Sequence, residues 1–365
     1  MLRDLISTAD ATGDLDLAQR LAALRGRLTH TIAAAVVDLD AQPSARWARL
    51  TTTKPRSMTA PEAEVDADPR FELGSLTKGL TGMLLADAIE RGELALETTA
   101  GELLAADPDV AARTAGPLHS LTMLELATHA SGLPRLPRTA GTAGRVLRLA
   151  LLGMDPYRGR SPERVLELAA AEPLRNRGEY RYSNLGGAVA GQLLAIAGGR
   201  SYPALLRERI FAPLRMHSSA VAAKGDAAPR GRSSSGLRRQ AWILDGYAPA
   251  GGVISTIRDV ARLTDALLDG SAPGGASLQP LPGATASAPG RQAGMFWVIE
   301  PLAQTGSTLT WHNGATGGYA AFLGLAREQR QGVAVLIDAA RSADGRRITL
   351  ALLDSLEEAR PRRSA

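Results

Sequence analysis

In the decapeptide FELGSLTKGL, Ser75 stands three positions before Lys78 and opens a long apolar stretch. On a helix that spacing places both side chains on one face, one turn apart. A serine hydroxyl is a weak nucleophile until a neighbour takes its proton. The chain carries 42 basic residues, of which only Lys54, Lys78 and Lys224 are lysines. Arginine keeps its proton, whereas a lysine amine gives its proton up once burial or a neighbouring cation lowers its pKa. Ser75 and Lys78 are therefore candidates for a nucleophile and its general base. The tetrad alone is short enough to arise by chance, so other chemistry-bearing residues must support it.

Two further segments do so. YRYSNLGG (180–187) sets Tyr182 and Asn184 two apart just before an apolar helix, so in an extended or loop segment both side chains can face one cleft. A lysine ammonium nearby would favour the phenolate of Tyr182, which could then take a proton from a serine hydroxyl. Asn184 fits equally well as a helix N-cap. WHNGATGGY (311–319) follows a strand-like TLTWH, and its glycines let backbone approach a ligand closely. His312 there reads either as a polar or cationic group facing a substrate carboxylate or carbonyl, or as a surface histidine on a Gly-rich turn. His30, His119, His129 and His217 lack acidic partners at ligand spacing, so no metal centre is expected.

The elements that must position these residues follow from pattern. The first 28 residues read as an amphipathic helix without the apolar core or cleavage site of an export signal. HTIAAAVVDL (30–39) and ARWARL (45–50) read as strands joined by a turn at 40–44. TKGLTGMLLADAIERGEL has the i, i+4 spacing of a buried helix ended by Gly92. Helices are expected in LTMLELATHASGLP, SPERVLELAAAEPL, NLGGAVAGQLLAIAGG, SYPALLRERIFAPL and STIRDVARLTDALLD, the last capped near Ser255. Residues 271–292, rich in Gly, Pro, Ala and Ser, read as a flexible or disordered surface loop. GMFWVIEPL, STLTWH, YAAFLGLA and GVAVLIDAA form an antiparallel meander before a C-terminal helix. Strands at both ends with helices between predict one mixed α/β body carrying an all-helical insertion. The division is roughly 1–80 and 215–365 for the α/β part and 81–214 for the helical part.

Composition narrows the function. An apolar fraction of 45% over 365 residues supports a sizeable globular core. The net charge of +5 is scattered, and the densest basic patches, GLRRQ and the tail ARPRRSA, lack interleaved aromatics. No nucleic-acid partner is therefore expected. The absence of cysteine removes disulfides, thiolate metal sites and a cysteine nucleophile. No stretch approaches the length of a membrane span, so no membrane partner and a cytoplasmic location are expected.

Taken in order, Ser-x-x-Lys at a helix start, Tyr-x-Asn about a hundred residues later and His-x-Gly on a C-terminal strand resemble the serine β-lactamase and penicillin-binding-protein superfamily. Within it the match is to the class C β-lactamase-like serine hydrolases. FELGSLTKGLTGMLLADAIERGEL, LTMLELATHASGLP, YRYSNLGGAVAGQLL, IFAPLRM, APAGGVISTIRDVARL and WHNGATGGY look like family segments in family order, over roughly residues 70–340. The resemblance implies a single unit of that α/β fold, a central antiparallel sheet flanked by terminal helices, and no cofactor. It implies that Ser75 is acylated, that Lys78 and Tyr182 share the proton transfers, and that Asn184 holds the substrate and orients Lys78. It further implies an oxyanion hole from the backbone N–H groups of Ser75 and Ala315, each such donor contributing about 3 kcal/mol, and a cleft wall at His312 and Gly314.

Where the lactamases and peptidases of the family have Lys-Thr-Gly, this chain has His312-Asn313-Gly314. A largely neutral imidazole attracts a carboxylate less than a lysine does, which lowers the expectation of β-lactam or D-amino-peptidase turnover. The expected activity is hydrolysis of a small ester or amide. The alternative is transfer of the acyl group to an amine or alcohol, as in a transacylase or a peptide-cyclising thioesterase of a natural-product pathway. A non-catalytic binding descendant is disfavoured by the presence of Ser75, Lys78 and Tyr182.

Overall fold

The run TIAAAVVD is apolar on both faces of its pleat, and a strand of that kind needs cover on both sides. In a computed structural model, which describes residues 9–25, 29–52, 68–152, 154–224, 231–302 and 306–359, this strand lies inside an eight-stranded sheet. The strands are β1 (Ala9–Gly13), β2 (Thr31–Asp38), β3 (Ala45–Thr52), β4 (Phe71–Glu72), β5 (Ala220–Val221), β6 (Val253–Ser255), β7 (Gln292–Ala293), β8 (Val298–Pro301), β9 (Thr308–Ala315), β10 (Ala320–Ala326) and β11 (Gln331–Ile337). The large sheet runs β1-β3-β2-β11-β10-β9-β8-β7, antiparallel throughout, and β4-β6-β5 form a small second sheet.

The helices are α1 (Leu15–Leu24), α2 (Thr77–Glu90), α3 (Ala100–Leu104), α4 (Pro108–Arg113), α5 (Met123–Ala127), α6 (Ala140–Leu152), α7 (Pro162–Ala170), α8 (Asn184–Ala197), α9 (Tyr202–Leu206), α10 (Ala248–Gly251), α11 (Ile257–Asp269) and α12 (Ser342–Glu358). Period-two alternation along β2 sorts its side chains between two cores. Ile32, Ala34 and Val36 meet Leu17 and Leu21 of α1 and Ile348 and Leu352 of α12, which repeat at helical spacing. Ala33 and Ala35 point the other way, into a larger core with Leu263 and Leu267 of α11 and the apolar residues of α2 and α8. Among the described residues no helix is long and apolar enough to cross a membrane.

Helix α2 is buried on every side from Thr77 to Ala88. Its polar residues survive there because each is paired: Thr81 Oγ1 donates to the Pro249 carbonyl and meets the Tyr202 hydroxyl, both at 2.8 Å. A helix boxed in on all sides cannot rotate, which fixes the direction of the lysine in its first turn.

Three sequence expectations are corrected. Residues 9–13 are strand β1, paired with β3, and the first helix begins only at Leu15. Asp14 sets that start by accepting the Leu17 N–H at 2.8 Å, so the chain before it is extended. Residues 1–8 and 26–28 of the expected helix lie outside the described residues. Residues 271–292 form an ordered segment with a 3-10 turn, Gly275–Leu278, whose Leu278 is buried and whose Gln292 pairs in β7. In GMFWVIEPL, pairing with β9 begins only at Val298, after Phe296 takes a left-handed φ of 65°.

Candidate active site

Ser75 lies in a 3-10 turn, Gly74–Leu76, that runs directly into α2 and so brings Lys78 onto its first turn. The turn is pressed against the end of β9. Gly74 adopts φ +52°, and a Cβ there would come within 2.7 Å of the Ala315 nitrogen, while one on Gly314 would overlap the Leu73 carbonyl. Two glycines thus permit the nucleophile turn and the end of β9 to touch backbone to backbone. Ser75, Asn184 and Ala315 line a single cavity of about 220 Å³.

The Lys78 side chain is wholly buried. Its Nζ sits 3.1 Å from Ser75 Oγ, 2.9 Å from Asn184 Oδ1 and 2.6 Å from the Ala250 carbonyl oxygen. Burial, and then the Arg135 charge, hold the amine well below the usual lysine range. A neutral amine keeps two N–H donors and one lone pair. Asn184 Oδ1 and the Ala250 carbonyl can only accept, so they engage the two donors and the lone pair is left facing the Ser75 hydroxyl.

Tyr182 also reaches Ser75, its hydroxyl donating to Ser75 Oγ at 2.7 Å. Its ring is held by His129, with centroids 4.6 Å apart. Burial pushes the Tyr182 phenol up to about 12, with the Ser75 hydrogen bond and Arg135 opposing. The expected phenolate is therefore corrected: burial outweighs both, and Tyr182 rests as a protonated phenol.

Asn184 opens α8, and the N-cap is Ser183, whose Oγ accepts the Gly186 N–H at 2.8 Å. Relieved of capping, Asn184 spends its amide on the site: Oδ1 faces Lys78, and Nδ2 donates to the Tyr157 hydroxyl at 2.8 Å. His312 is buried on β9, not exposed on a turn. Burial above all pushes it down to about 3, so it is neutral and not cationic. Its Nδ1 lies 2.6 Å from the Asn313 carbonyl. A carbonyl only accepts, so the ring proton sits on Nδ1 and Nε2 is a bare acceptor. With Tyr182, Trp297 and Trp311 it lines a second cavity of about 240 Å³.

Four contributors had no signal in the sequence reading. Tyr157, Arg135 and Trp242 reach the cleft from the segments 130–160 and 225–250, and Ala250 offers only its backbone. Arg135 follows SGLP, and its guanidinium lies 5.6 Å from the Tyr182 ring centroid. Among the described residues no group of three or more His, Asp or Glu is placed to hold a metal ion.

Comparison with known proteins shows the family and the fold. The family model "Beta-lactamase" matches residues 18–357. The chain belongs to the Beta-lactamase family. It is 31% identical over 198 residues to the "Beta-lactamase" of Escherichia coli K12, and 27% over 157 residues to "Penicillin-binding protein 4" of Amycolatopsis lactamdurans. These alignments cover 53% and 42% of this chain but only 46% and 37% of those relatives, so the chain spans less than half of either relative. Among solved structures, a class C β-lactamase from Rhodobacter sphaeroides superposes with a TM-score of 0.72 at 19% identity, covering 95% of this chain and all of that one. A D-stereospecific amidohydrolase from Streptomyces sp. gives 0.66 at 20% identity, covering 88% and 93%. The mixed α/β fold with its central antiparallel sheet is thus the β-lactamase/transpeptidase-like fold.

Proposed function

We propose that this member of the Beta-lactamase family is a serine hydrolase that forms an acyl-enzyme on Ser75 and hydrolyses a small ester or amide. One observation carries the reading: Ser75 Oγ is held between a buried lysine nitrogen at 3.1 Å and a tyrosine hydroxyl at 2.7 Å. Lys78 takes the Ser75 proton as Oγ attacks the substrate carbonyl, and the tetrahedral oxygen is received by the backbone N–H groups of Ser75 and Ala315. Tyr182 delivers its proton to the departing oxygen or nitrogen, and the proton held by the Lys78 ammonium restores the phenol. Water then attacks the acyl carbonyl, losing its proton to the same pair, and Ser75 leaves with a proton. Asn184 and Tyr157 keep the lysine aimed throughout.

The buried, neutral His312 gives no cation at the position where lactamases of the family carry lysine, which disfavours β-lactams as substrates. The apolar wall of Leu136, Leu149 and Trp242 favours one second reading, in which a bound amine or alcohol discharges the acyl group in place of water. Assaying 4-nitrophenyl esters and anilides with and without added amines tests both. Turnover that vanishes in Ser75→Ala supports the hydrolase. Turnover retained in Ser75→Ala overturns it, and an amide product dominating over free acid moves the assignment to acyl transfer.

A further inference from the structure

Resting on that reading, we infer that the cleft selects acyl substrates carrying a carboxylate, and that Arg135 receives it. The two cavities beside Ser75 and Tyr182 have no Asp or Glu on their walls, and Arg135 is their one arginine. The other basic groups near the nucleophile, Lys78, His129 and His312, are all held toward their neutral forms by burial. Arg135 is thus the fixed positive charge that a substrate meets.

Neighbouring arginines already have partners: Arg138 faces Glu172, Arg177 grips Glu125, and Arg145 donates to the Arg158 carbonyl. Among the described residues Arg135 makes neither an ion pair nor a hydrogen bond, and rests only over the Tyr182 ring. An exposed arginine on a basic protein is ordinarily a solvated surface group. This one differs in where it is anchored. The preceding Pro134 carbonyl accepts from Ser183 Oγ at 2.7 Å, and Ser183 is also the cap that fixes Tyr182 and Asn184 on either side of it. The guanidinium is therefore indexed to the catalytic groups by one residue.

A planar fork of N–H donors matches the two oxygens of a carboxylate, and its stacking on Tyr182 preorganises it. Beside it Leu136, Val146, Leu149 and Trp242 offer an apolar bed. An acyl chain lying on that bed with a terminal carboxylate would satisfy both features. Arg135 lies between α5 and α6, not on β9, so it does not replace the missing lysine of the third motif in place.

The test compares 4-nitrophenyl butyrate with 4-nitrophenyl hemisuccinate in the wild type, Arg135→Gln and Arg135→Lys. The ratio of kcat/KM for the two esters cancels any effect of Arg135 on Lys78 or Tyr182. The wild type favours the hemisuccinate by about tenfold, the glutamine variant brings the ratio near one, and the lysine variant recovers part of it. In the wild type the preference also shrinks as salt is raised, because exposed charges are screened. An unchanged ratio in Arg135→Gln, or a wild-type preference that is absent or insensitive to salt, overturns the inference. Failure of both esters to give any Ser75-dependent turnover overturns instead the hydrolase reading beneath it.

Discussion

Lys78 Nζ donates to the Ala250 carbonyl oxygen over 2.6 Å, a contact between the first turn of α2 and the helix α10 172 residues later. It is the contact that, with Asn184, leaves the amine's lone pair nowhere to point but at Ser75. Lys78→Arg puts a fixed cation where the neutral amine stands and offers no lone pair to take the Ser75 proton, and Lys78→Met keeps the volume alone. Both are expected to lower kcat/KM for ester hydrolysis about a thousandfold or more. Steady-state kinetics beside a thermal melt checks this, and a loss under tenfold in a folded variant would remove Lys78 from the chemistry.

Tyr182 rests as a phenol, so its service is to donate. Tyr182→Phe removes the 2.7 Å bond to Ser75 Oγ while keeping the ring against His129. The expected result is a fall in kcat of about a hundredfold or more with the fold intact. The loss should be smaller for 4-nitrophenyl esters, whose leaving group needs no proton, than for alkyl esters. Equal losses on both would assign Tyr182 to another step.

Tyr157 acts one bond further out. Tyr157→Phe leaves Asn184 Nδ2 without its acceptor and loosens the hold of Oδ1 on Lys78. A drop of about tenfold in kcat is expected, with KM little changed, since an amide left unpartnered in a buried site costs about 1–3 kcal/mol. The pH profile of kcat should shift together with it, because the loosened amide no longer fixes the amine. A reduced kcat with an unmoved pH profile would make Tyr157 merely structural.

Much of this site was legible because its residues are close in the chain and its elements strongly periodic. Ser75 and Lys78 share one helix start, and Tyr182 and Asn184 flank one cap, so local spacing nearly determined their geometry. The strands β2, β10 and β11, apolar on both faces, announced a covered sheet. Tyr157, Arg135 and the Ala250 carbonyl carried no such signal, since only tertiary packing brings them within reach of Lys78 and Tyr182. Helix α6 escaped because it exposes Leu147, Leu151 and Leu152 and so lacks the polar face that marks a surface helix. The protonation state of Tyr182 was also beyond the sequence: a phenolate was reasonable from residue type, and burial reverses it, whereas the largely neutral imidazole expected of His312 is what burial enforces.

Glu72 gives a pH dependence of stability independent of catalysis. It is buried on β4, its Oε1 accepting from the Trp242 N–H at 2.7 Å, and burial pushes it up to about 7 from 4.5. Between those values the folded state binds more protons than the unfolded one, so this contribution is present below pH 4.5 and lost as pH rises through about 7. Glu72→Gln keeps the accepting oxygen and should stabilise the protein at pH 8 by about 2 kcal/mol relative to its effect at pH 5. Urea denaturation at both pH values measures this, and a variant equally displaced at both would show that Glu72 does not titrate on folding.

The claim on which the rest depends is that Ser75 is activated by a neutral Lys78. Its most direct measurement is the rate of labelling by a fluorophosphonate as a function of pH, with the site located by peptide mass spectrometry. Labelling confined to Ser75, reaching its plateau well below the ordinary lysine value of 10.5 and falling to background in Lys78→Met, is the predicted result. A label on another residue, or a rate that climbs steadily toward pH 10.5 in the wild type, would contradict it.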